Sequence, residues 1–380
     1  MSLSKIWLSS PHMGGNELKY IHEAFDTNWV APLGPNVTGF ETDLETYLSE
    51  KIHVAALSSG TAAIHLALIL ADVKKEDEVI CQTMTFSASA NPIIYQGATP
   101  VFIDSESDTW NMCPVALEQA ILDRIEKGKK PKAIIAVHLY GMPFKVDEIL
   151  KIAQKYSITL IEDAAEALGS IHKDKKCGTF GQFGILSFNG NKIITTSGGG
   201  ALATQTKEAK EKAVFLATQA RDNAPHYQHS EIGYNYRMSN ICAGIGRGQM
   251  EVLDNHINKR REMQKFYSDL FVNIEGVEVM QEPNTDYFSN FWLSAIIINS
   301  EKTNGITREV LRLALEKENI ESRPLWKPMH LQPIFQKYPY YGTDVSEKLF
   351  ENGLCLPSGS NLTEEEKNRI KTAIKNVFNA

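Results

Sequence analysis

The chain has 380 residues, of which 43% are hydrophobic and 22% are charged, and its net charge is −7. These values lie close to the average for folded soluble domains, so they exclude a disordered, collagen-like or disulfide-scaffold protein and favour roughly two or three domains. Because nucleic-acid binding depends on lysine and arginine, the negative net charge disfavours a nucleic-acid partner.

The first half of the chain alternates between short β-branched runs and longer stretches with helical spacing, from about residue 54 to residue 204. This alternation is typical of βαβ units and predicts an α/β domain around a mostly parallel sheet. Strands are predicted over residues 54–57, 78–81, 100–103, 133–137 and 159–161. Ligands of such sheets collect beyond the carboxyl ends of the strands, so the polar residues there are the candidates for a functional site.

The pattern changes after Gly200, where helical spacing dominates. Helices are predicted over residues 206–221, 238–271, 307–318 and 363–378, with a strand over 292–298. This change predicts a large domain over residues 1–250 and a smaller domain over residues 251–380.

The first candidate motif is Ser59-Gly60-Thr61, between a predicted strand and a predicted helix. Small residues at a helix start leave backbone N–H groups open to an anion, and the hydroxyls add donors. The same residues are also typical of a helix N-cap in a tight turn, and taken alone that simpler interpretation is favoured.

The second candidate is the acidic segment Glu162-Asp163-Ala164-Ala165-Glu166, which follows an apolar strand. An aspartate at this point can keep the ring nitrogen of a bound pyridine protonated, which the ring needs if it is to accept electrons. A capping or metal-ligating acid explains the segment equally well.

The third candidate is Lys192, in a polar, glycine-bearing turn between apolar runs, followed by the triplet Gly198 to Gly200. Most lysines are solvated surface charges. In a partly desolvated turn, however, the amine of a lysine can become a nucleophile for carbonyl chemistry.

The order of these motifs along the chain, with the aromatic Phe86 between them, resembles the DegT/DnrJ/EryC1/StrS family of nucleotide-sugar aminotransferases. The resemblance extends from Ser10-Pro11-His12-Met13-Gly14-Gly15 to Leu356-Pro357-Ser358-Gly359. It implies the pyridoxal phosphate (PLP) fold type I, as in aspartate aminotransferase. That fold has a mostly parallel large domain and a smaller α+β C-terminal domain. The cofactor implied by the resemblance is PLP.

The resemblance also implies roles for individual residues. Lys192 matches the lysine that bonds to the cofactor and carries the proton, and Asp163 matches the partner of the pyridine nitrogen. The other cofactor-binding positions implied are Gly60, Thr61, Phe86, Glu166, Ser187 and Asn235. In the family, the asparagine at the last position reaches the phosphate of the neighbouring subunit, so a homodimer with shared active sites is expected.

Expectations for the substrate follow from the same resemblance. The strongest likeness is to transaminases of bacterial N-acetylbacillosamine synthesis, through segments that include Ala31-Pro32-Leu33-Gly34. It implies L-glutamate as amino donor and a UDP-linked 4-keto-6-deoxy sugar as acceptor. The residues expected near the sugar nucleotide are Asn28, Trp29, Arg237, Trp326 and His330. Some family members have histidine at the lysine position and act as dehydratases, so Lys192 favours transamination.

Several alternatives remain open at this point. The same chemistry on a GDP-linked or dTDP-linked sugar is the nearest. A non-catalytic sensor or regulator on the same fold is disfavoured by the net charge, and a nicotinamide dehydrogenase by the incomplete glycine fingerprint at Gly244, Gly246 and Gly248. The five scattered cysteines form no C-x-x-C pair, His226 and His229 lack further ligands, and no metal site is predicted. No signal peptide or membrane span is predicted, so a cytoplasmic protein is expected.

Overall fold

An eight-stranded sheet organises the fold, as seen in a computed structural model that describes residues 3–378. Within those residues the strands, in chain order, are β1 (His53–Leu57), β2 (Glu78–Gln82), β3 (Thr99–Ile103), β4 (Ala133–Val137), β5 (Thr159–Asp163), β6 (Ile171–His172), β7 (Lys175–Lys176), β8 (Phe183–Ser187), β9 (Gly200–Thr204), β10 (Val277–Val279), β11 (Tyr287–Phe288), β12 (Ser294–Ile298), β13 (Arg323–Pro324), β14 (Tyr340–Tyr341) and β15 (Gly353–Leu356). The five strands predicted between residues 54 and 161 are confirmed, with ends that differ by two residues at most.

The α-helices of the same residues surround the sheets. In chain order they are α1 (Glu17–Asp26), α2 (Pro35–Leu48), α3 (Gly60–Leu70), α4 (Asn91–Tyr95), α5 (Pro114–Glu126), α6 (Val146–Tyr156), α7 (Lys207–Ala217), α8 (Asn240–Met250), α9 (Leu253–Phe271), α10 (Arg308–Lys317), α11 (Val345–Asn352) and α12 (Glu364–Phe378). Between residues 3 and 378, none of them combines the length and the apolar character that a membrane span requires.

The large sheet has the strand order β1-β9-β8-β5-β4-β2-β3-β14. Its strands run parallel to one another except β9, which is antiparallel to both of its neighbours, β1 and β8. The predicted α/β fold with a mostly parallel sheet is therefore confirmed.

The apolar runs of the central strands are buried because helices cover both faces of the sheet. In β4, Ile134 and Ala136 pack in the core beneath α5 and α6, whereas Ala133 and Ile135 face the core beneath α3 and α7. Successive side chains of a strand point to opposite faces, so β4 contributes to both cores. Two covered faces leave the strand ends as the open part of the sheet.

The prediction of a single helix over residues 238–271 is wrong. This segment forms two helices, since α8 ends at Met250 and α9 begins at Leu253. Val252 leaves helical geometry with φ −117° and ψ 5°, and a Cβ added to Gly14 would lie 2.7 Å from its side chain. The N-terminal segment thus packs against the break. Because Leu253 and Ile257 continue the apolar spacing into one core, periodicity does not reveal the interruption.

The C-terminal part of the chain builds a second sheet, with the strand order β10-β12-β15-β13. Side chains from α9, α10 and α12 form its core. The domain boundary expected at residue 250 stays a prediction, and the break between α8 and α9 lies there. The C-terminal part also returns to the large sheet, since Tyr340 and Tyr341 of β14 pair with Phe102 and Ile103 of β3.

Candidate active site

A cavity of about 330 Å³ lies where β5 and β8 end, beside the first turn of α3. Ligands of open α/β sheets collect at this edge. Its wall brings together eight of the residues predicted to have a function: Gly60, Thr61, Phe86, Asp163, Glu166, Ser187, Lys192 and Trp326. Residues from distant parts of the chain therefore form one site.

Asp163 is the last residue of β5 and is buried, with 5% of its surface exposed. One of its carboxylate oxygens accepts a hydrogen bond from the Ser89 hydroxyl at 2.6 Å, and that hydroxyl lies 2.7 Å from the hydroxyl of Thr85. The other oxygen accepts the backbone N–H of Ala165 at 3.2 Å. These bonds fix the orientation of a negative charge in the cavity wall, as the partner of a protonated ring nitrogen requires.

The amine of Lys192 lies in the same cavity, and the side chain is 12% exposed. Its Nζ is 3.3 Å from Oε1 of Glu166 and 4.2 Å from the ring centroid of Trp292. The second oxygen of Glu166 accepts the backbone N–H of Tyr140 at 2.8 Å. Burial raises the pKa of Glu166, while the nearby Lys192 charge and the Tyr140 N–H oppose this shift. The amine thus has an acidic neighbour on one side and an aromatic ring on another.

The N-terminus of α3 faces the cavity through Gly60 and Thr61. The hydroxyl of Ser59 accepts the N–H of Ala62 at 3.0 Å, so the N-cap interpretation of this motif is confirmed. The first-turn N–H groups of a helix have no partner within it and attract anions. A Cβ at Gly60 would lie 3.1 Å from the Cβ of Ser187, so the glycine lets the end of β8 approach. The cap and the anion site are therefore compatible.

Besides Trp292, two aromatic side chains line the cavity. Phe86 is 53% exposed, and its ring centroid is 5.4 Å from that of Trp326. The backbone N–H of Trp326 donates to the Tyr140 hydroxyl at 2.9 Å. The indole N–H of Trp326 is buried and has no hydrogen-bond partner within residues 3–378. A flat apolar surface with a free donor is suited to an aromatic or polar organic ligand.

Two predicted substrate residues are engaged elsewhere. Arg237 donates to the carboxylate of Glu41 and to the carbonyl of Ala56. The ring of His330 lies between the Thr83 hydroxyl, at 2.7 Å, and Glu347, at 3.2 Å. Neither residue lines the cavity. Their contact with a sugar nucleotide stays a prediction.

Three further predicted residues, Asn28, Trp29 and Asn235, are exposed and lie outside the lining of the cavity. Asn235 forms an isolated bridge with Thr218. Within one chain it does not reach the site, as expected for a residue that serves a neighbouring subunit. All three assignments stay predictions.

The structure adds lining residues to which the sequence analysis assigned no role. They are Ser58, Thr85, Ser89, Asn189, Asn191 and Trp292. The sequence pattern could have pointed to most of them. The segment 85–89 follows the end of β2, where ligands of such a sheet collect, and Asn189 and Asn191 lie in the same turn as Lys192. Trp292 has no such signal, since it is 100 residues from the lysine that it contacts.

A separate buried group is formed by His138, Glu162 and Cys177, whose ligand atoms lie within 4.8 Å of one another. Nε2 of His138 is 2.7 Å from Glu162, and its Nδ1 accepts the N–H of Phe144 at 3.2 Å. Both ring nitrogens are thus satisfied within the protein, so His138 serves the structure of this buried group.

The cavity fits PLP in each of its chemical parts. A buried carboxylate can hold the ring nitrogen, the capped end of α3 can hold the phosphate, and an aromatic wall can contact the ring. The Lys192 amine can bond to the aldehyde carbon. Fold and site together define a PLP-dependent aminotransferase of fold type I.

A model of the DegT/DnrJ/EryC1/StrS aminotransferase family matches residues 11–375, and the chain belongs to this family. EpsN of Bacillus subtilis (strain 168), which is assigned as a pyridoxal phosphate-dependent aminotransferase, is 52% identical over 378 residues, covering 98% of this chain and 96% of that protein. The GDP-perosamine synthase of Escherichia coli O157:H7 is 36% identical over 371 residues, with 97% of each chain covered.

Solved structures agree with this assignment. A DegT/DnrJ/EryC1/StrS aminotransferase from Brucella abortus is 28% identical, covers 96% of both chains and superposes with a TM-score of 0.88. Spr1654 from Streptococcus pneumoniae, assigned as a sugar aminotransferase and solved in its PLP-form, is 26% identical over 99% of both chains, with a TM-score of 0.89. The expected enzyme class and the expected cofactor are thus confirmed: the protein is a PLP-dependent sugar aminotransferase.

Proposed function

We propose that the enzyme transfers the amino group of L-glutamate to C4 of a UDP-linked 4-keto-6-deoxy-N-acetylhexosamine. The product is UDP-4-amino-4,6-dideoxy-N-acetylglucosamine, a precursor of the sugar bacillosamine and of bacterial surface glycans. The observation that carries the proposal is the Lys192 amine in the cavity, 3.3 Å from Glu166 and at the edge where Asp163 ends β5. The sugar aminotransferases among its relatives support a nucleotide-linked keto sugar as acceptor.

Bound PLP supplies an electron-withdrawing ring that stabilises the charge left when a carbon loses its proton. With PLP bound, Lys192 Nζ would take the α proton of the amino donor and pass it to C4′ of the cofactor. In the second half it would take a proton from C4′ and deliver it to C4 of the sugar. Asp163 holds the proton on the ring nitrogen through its fixed, buried carboxylate. Glu166 lies beside the amine and orients it. Gly60, Thr61 and Ser187 hold the phosphate at the N-terminus of α3.

The nucleotide is the less constrained part of the proposal. The loop Ala31-Pro32-Leu33-Gly34 is the reason for ranking UDP first, together with Asn28 and Trp29 beside it. GDP is the second candidate, because GDP-perosamine synthases are among the relatives that cover nearly the whole chain. Arg237 and His330 are proposed to approach the sugar nucleotide once it is bound.

Two copies of the chain are proposed to form each active site. Asn235 is exposed and lies outside the cavity of its own subunit, so it is free to reach the phosphate in the partner. A loop of exposed apolar residues supports a buried subunit contact: Trp29, Val30 and Leu33 are 39%, 54% and 55% exposed in the single chain.

The test of the catalytic assignment is spectroscopic. Wild-type protein loaded with PLP is expected to show a visible absorbance band that depends on the covalent bond to Lys192. Lys192→Ala should lack this band and all transaminase activity. A matched control is Lys151→Ala, on the exposed face of α6, which should keep both. A wild-type protein that stays colourless after loading with PLP would contradict the proposal.

A substrate panel separates the nucleotides. The PLP-loaded enzyme is given L-glutamate and the 4-keto-6-deoxy sugar linked to UDP, GDP or dTDP, and the amino sugar is measured by mass spectrometry. The UDP sugar is expected to give the highest kcat/KM. If the GDP sugar gives the higher value, the UDP assignment is wrong while the aminotransferase assignment stands.

A further inference from the structure

Tyr140 contacts two walls of the active-site cavity without lining the cavity itself. It lies in the turn that follows β4, and 1% of its surface is exposed. Its backbone has φ 54° and ψ 19°, a left-handed conformation that glycine adopts freely and tyrosine only at a cost. Backbone preference therefore does not explain a tyrosine at this position. What the side chain adds is an aromatic ring and a hydroxyl.

The first contact of Tyr140 runs through its main chain. Its backbone N–H donates to Oε2 of Glu166 at 2.8 Å, and Oε1 of Glu166 lies 3.3 Å from the Lys192 amine. Every residue except proline supplies a backbone N–H. The bond to Glu166 thus does not depend on the hydroxyl of the tyrosine.

The second contact does depend on the hydroxyl, which accepts the backbone N–H of Trp326 at 2.9 Å. The two rings are also stacked, with centroids 5.9 Å apart and an angle of 28° between their planes. The indole N–H of Trp326 has no hydrogen-bond partner within residues 3–378, so the indole is held by its backbone and by its aromatic neighbours. Tyr140 therefore ties Trp326, from the C-terminal part of the chain, to the end of β4.

The position of Trp326 indicates which ligand gains from this tie. Trp326 lines the cavity beside Phe86, the residue predicted to contact the cofactor ring. A ligand that lies against Trp326 is therefore next to the cofactor. A sugar ring has apolar C–H faces that fit a flat aromatic surface, whereas glutamate is a flexible chain with a carboxylate at each end. The sugar is thus the better match for a fixed indole.

We propose that Tyr140 is a positioning residue for the acceptor sugar, and that its hydroxyl fixes the Trp326 indole as the surface on which the sugar ring rests. The inference rests on the proposed function, because it takes the acceptor to be a sugar nucleotide that contacts Trp326. Since Tyr140 holds Glu166 through its main chain, the hydroxyl serves the sugar half of the reaction and not the glutamate half. The two halves are therefore separate readouts.

The test is Tyr140→Phe in the PLP-loaded enzyme, with each half of the reaction measured by itself. The absorbance change on mixing with L-glutamate alone should keep its wild-type rate within about 2-fold, because the bond to Glu166 remains. The KM for the preferred nucleotide sugar of the panel should rise by roughly 5- to 100-fold, because the N–H of Trp326 loses its partner. A smaller change is expected in kcat. The matched control is Tyr156→Phe, which removes a hydroxyl bonded to Glu118 outside the cavity and should keep both values.

A second substitution shows whether the hydroxyl acts through the indole. Trp326→Leu should raise the same KM, and Tyr140→Phe added to it should cause little further change, because the indole that the hydroxyl fixes is gone. If Tyr140→Phe does not fold, as judged by circular dichroism, Tyr140→Met also lacks the hydroxyl and decides by the same measurements.

Four outcomes overturn the proposal: an unchanged KM in Tyr140→Phe, an equal loss in both halves of the reaction, an unchanged KM in Trp326→Leu, or effects of the two substitutions that multiply. A wild-type enzyme whose absorbance does not respond to L-glutamate would instead contradict the proposed function itself.

Discussion

At the scale of single residues, Asp163 offers the sharpest test of the cofactor site. Asp163→Asn preserves the size of the side chain but removes the charge that keeps the ring nitrogen protonated. Turnover is expected to fall by roughly 100- to 10,000-fold, while PLP still binds. Measurement of kcat and of the PLP dissociation constant checks both parts.

Ser89→Ala is the matched control for this prediction. It leaves the carboxylate of Asp163 charged and removes one of its donors, the hydroxyl at 2.6 Å. The loss of turnover should therefore be smaller than in Asp163→Asn. Unchanged turnover in Asp163→Asn would show that this carboxylate is not the partner of the ring nitrogen.

Single residues also show where sequence reasoning succeeds. Asp163 follows a predicted strand, Thr61 lies at a predicted helix start, and Lys192 lies in a polar turn between apolar runs. The sheet topology brings these positions to one edge. Ser89 and Trp292 are different, because they enter the site through contacts with Asp163 and Lys192, which are 74 and 100 positions away. Spacing along the chain carries no signal for such a contact.

At the scale of elements, the close approach of β9 to the start of α3 yields a second prediction. A Cβ at Gly200 would lie 2.3 Å from the backbone nitrogen of Gly60, so Gly200→Ala must push the helix start away from the strand. The substitution should lower the free energy of unfolding by about 1–3 kcal/mol, and it should weaken PLP binding because the phosphate site is disturbed.

The same glycine triplet supplies the control. A Cβ at Gly198 would meet no atom within 4 Å, so Gly198→Ala should leave the stability of the cofactor-free protein near that of the wild type. Urea unfolding of both variants checks the difference. Equal stability of Gly200→Ala and Gly198→Ala would contradict this prediction. It would mean that β9 and the start of α3 can move apart without a loss of folding free energy.

Elements with strong local patterns were predictable, and those defined by tertiary contacts were not. Helix α6 occupies residues Val146–Tyr156, where Val146, Ile149 and Ala153 recur at the helical spacings of three and four. Strand β9 is antiparallel within a parallel sheet, and nothing in the run Gly200–Thr204 specifies its direction. The two-residue strand Tyr340–Tyr341 forms only because β3 offers a free edge.

At the scale of the whole molecule, the active site joins parts that the sequence places in different domains. Trp292 and Trp326 come from beyond residue 250 and line the same cavity as Lys192. The net charge of −7 disfavoured nucleic acid as a partner, but both proposed ligands are themselves anionic. Local groups such as the N-terminus of α3 must therefore hold them against the overall charge.

The proposed dimer gives the last prediction, by complementation between inactive variants. If Asn235 serves the partner's site, a mixed dimer of Lys192→Ala and Asn235→Ala subunits contains one site with both residues intact. After subunit exchange of an equal mixture, about a quarter of the wild-type activity should return, because half of the dimers are mixed and each has one intact site. Lys192→Ala mixed with Asp163→Asn is the control: both residues lie in the cavity of one subunit, so exchange restores no intact site. No recovery with Asn235→Ala, once mixed dimers are demonstrated by mass spectrometry, would mean that each subunit builds its site alone.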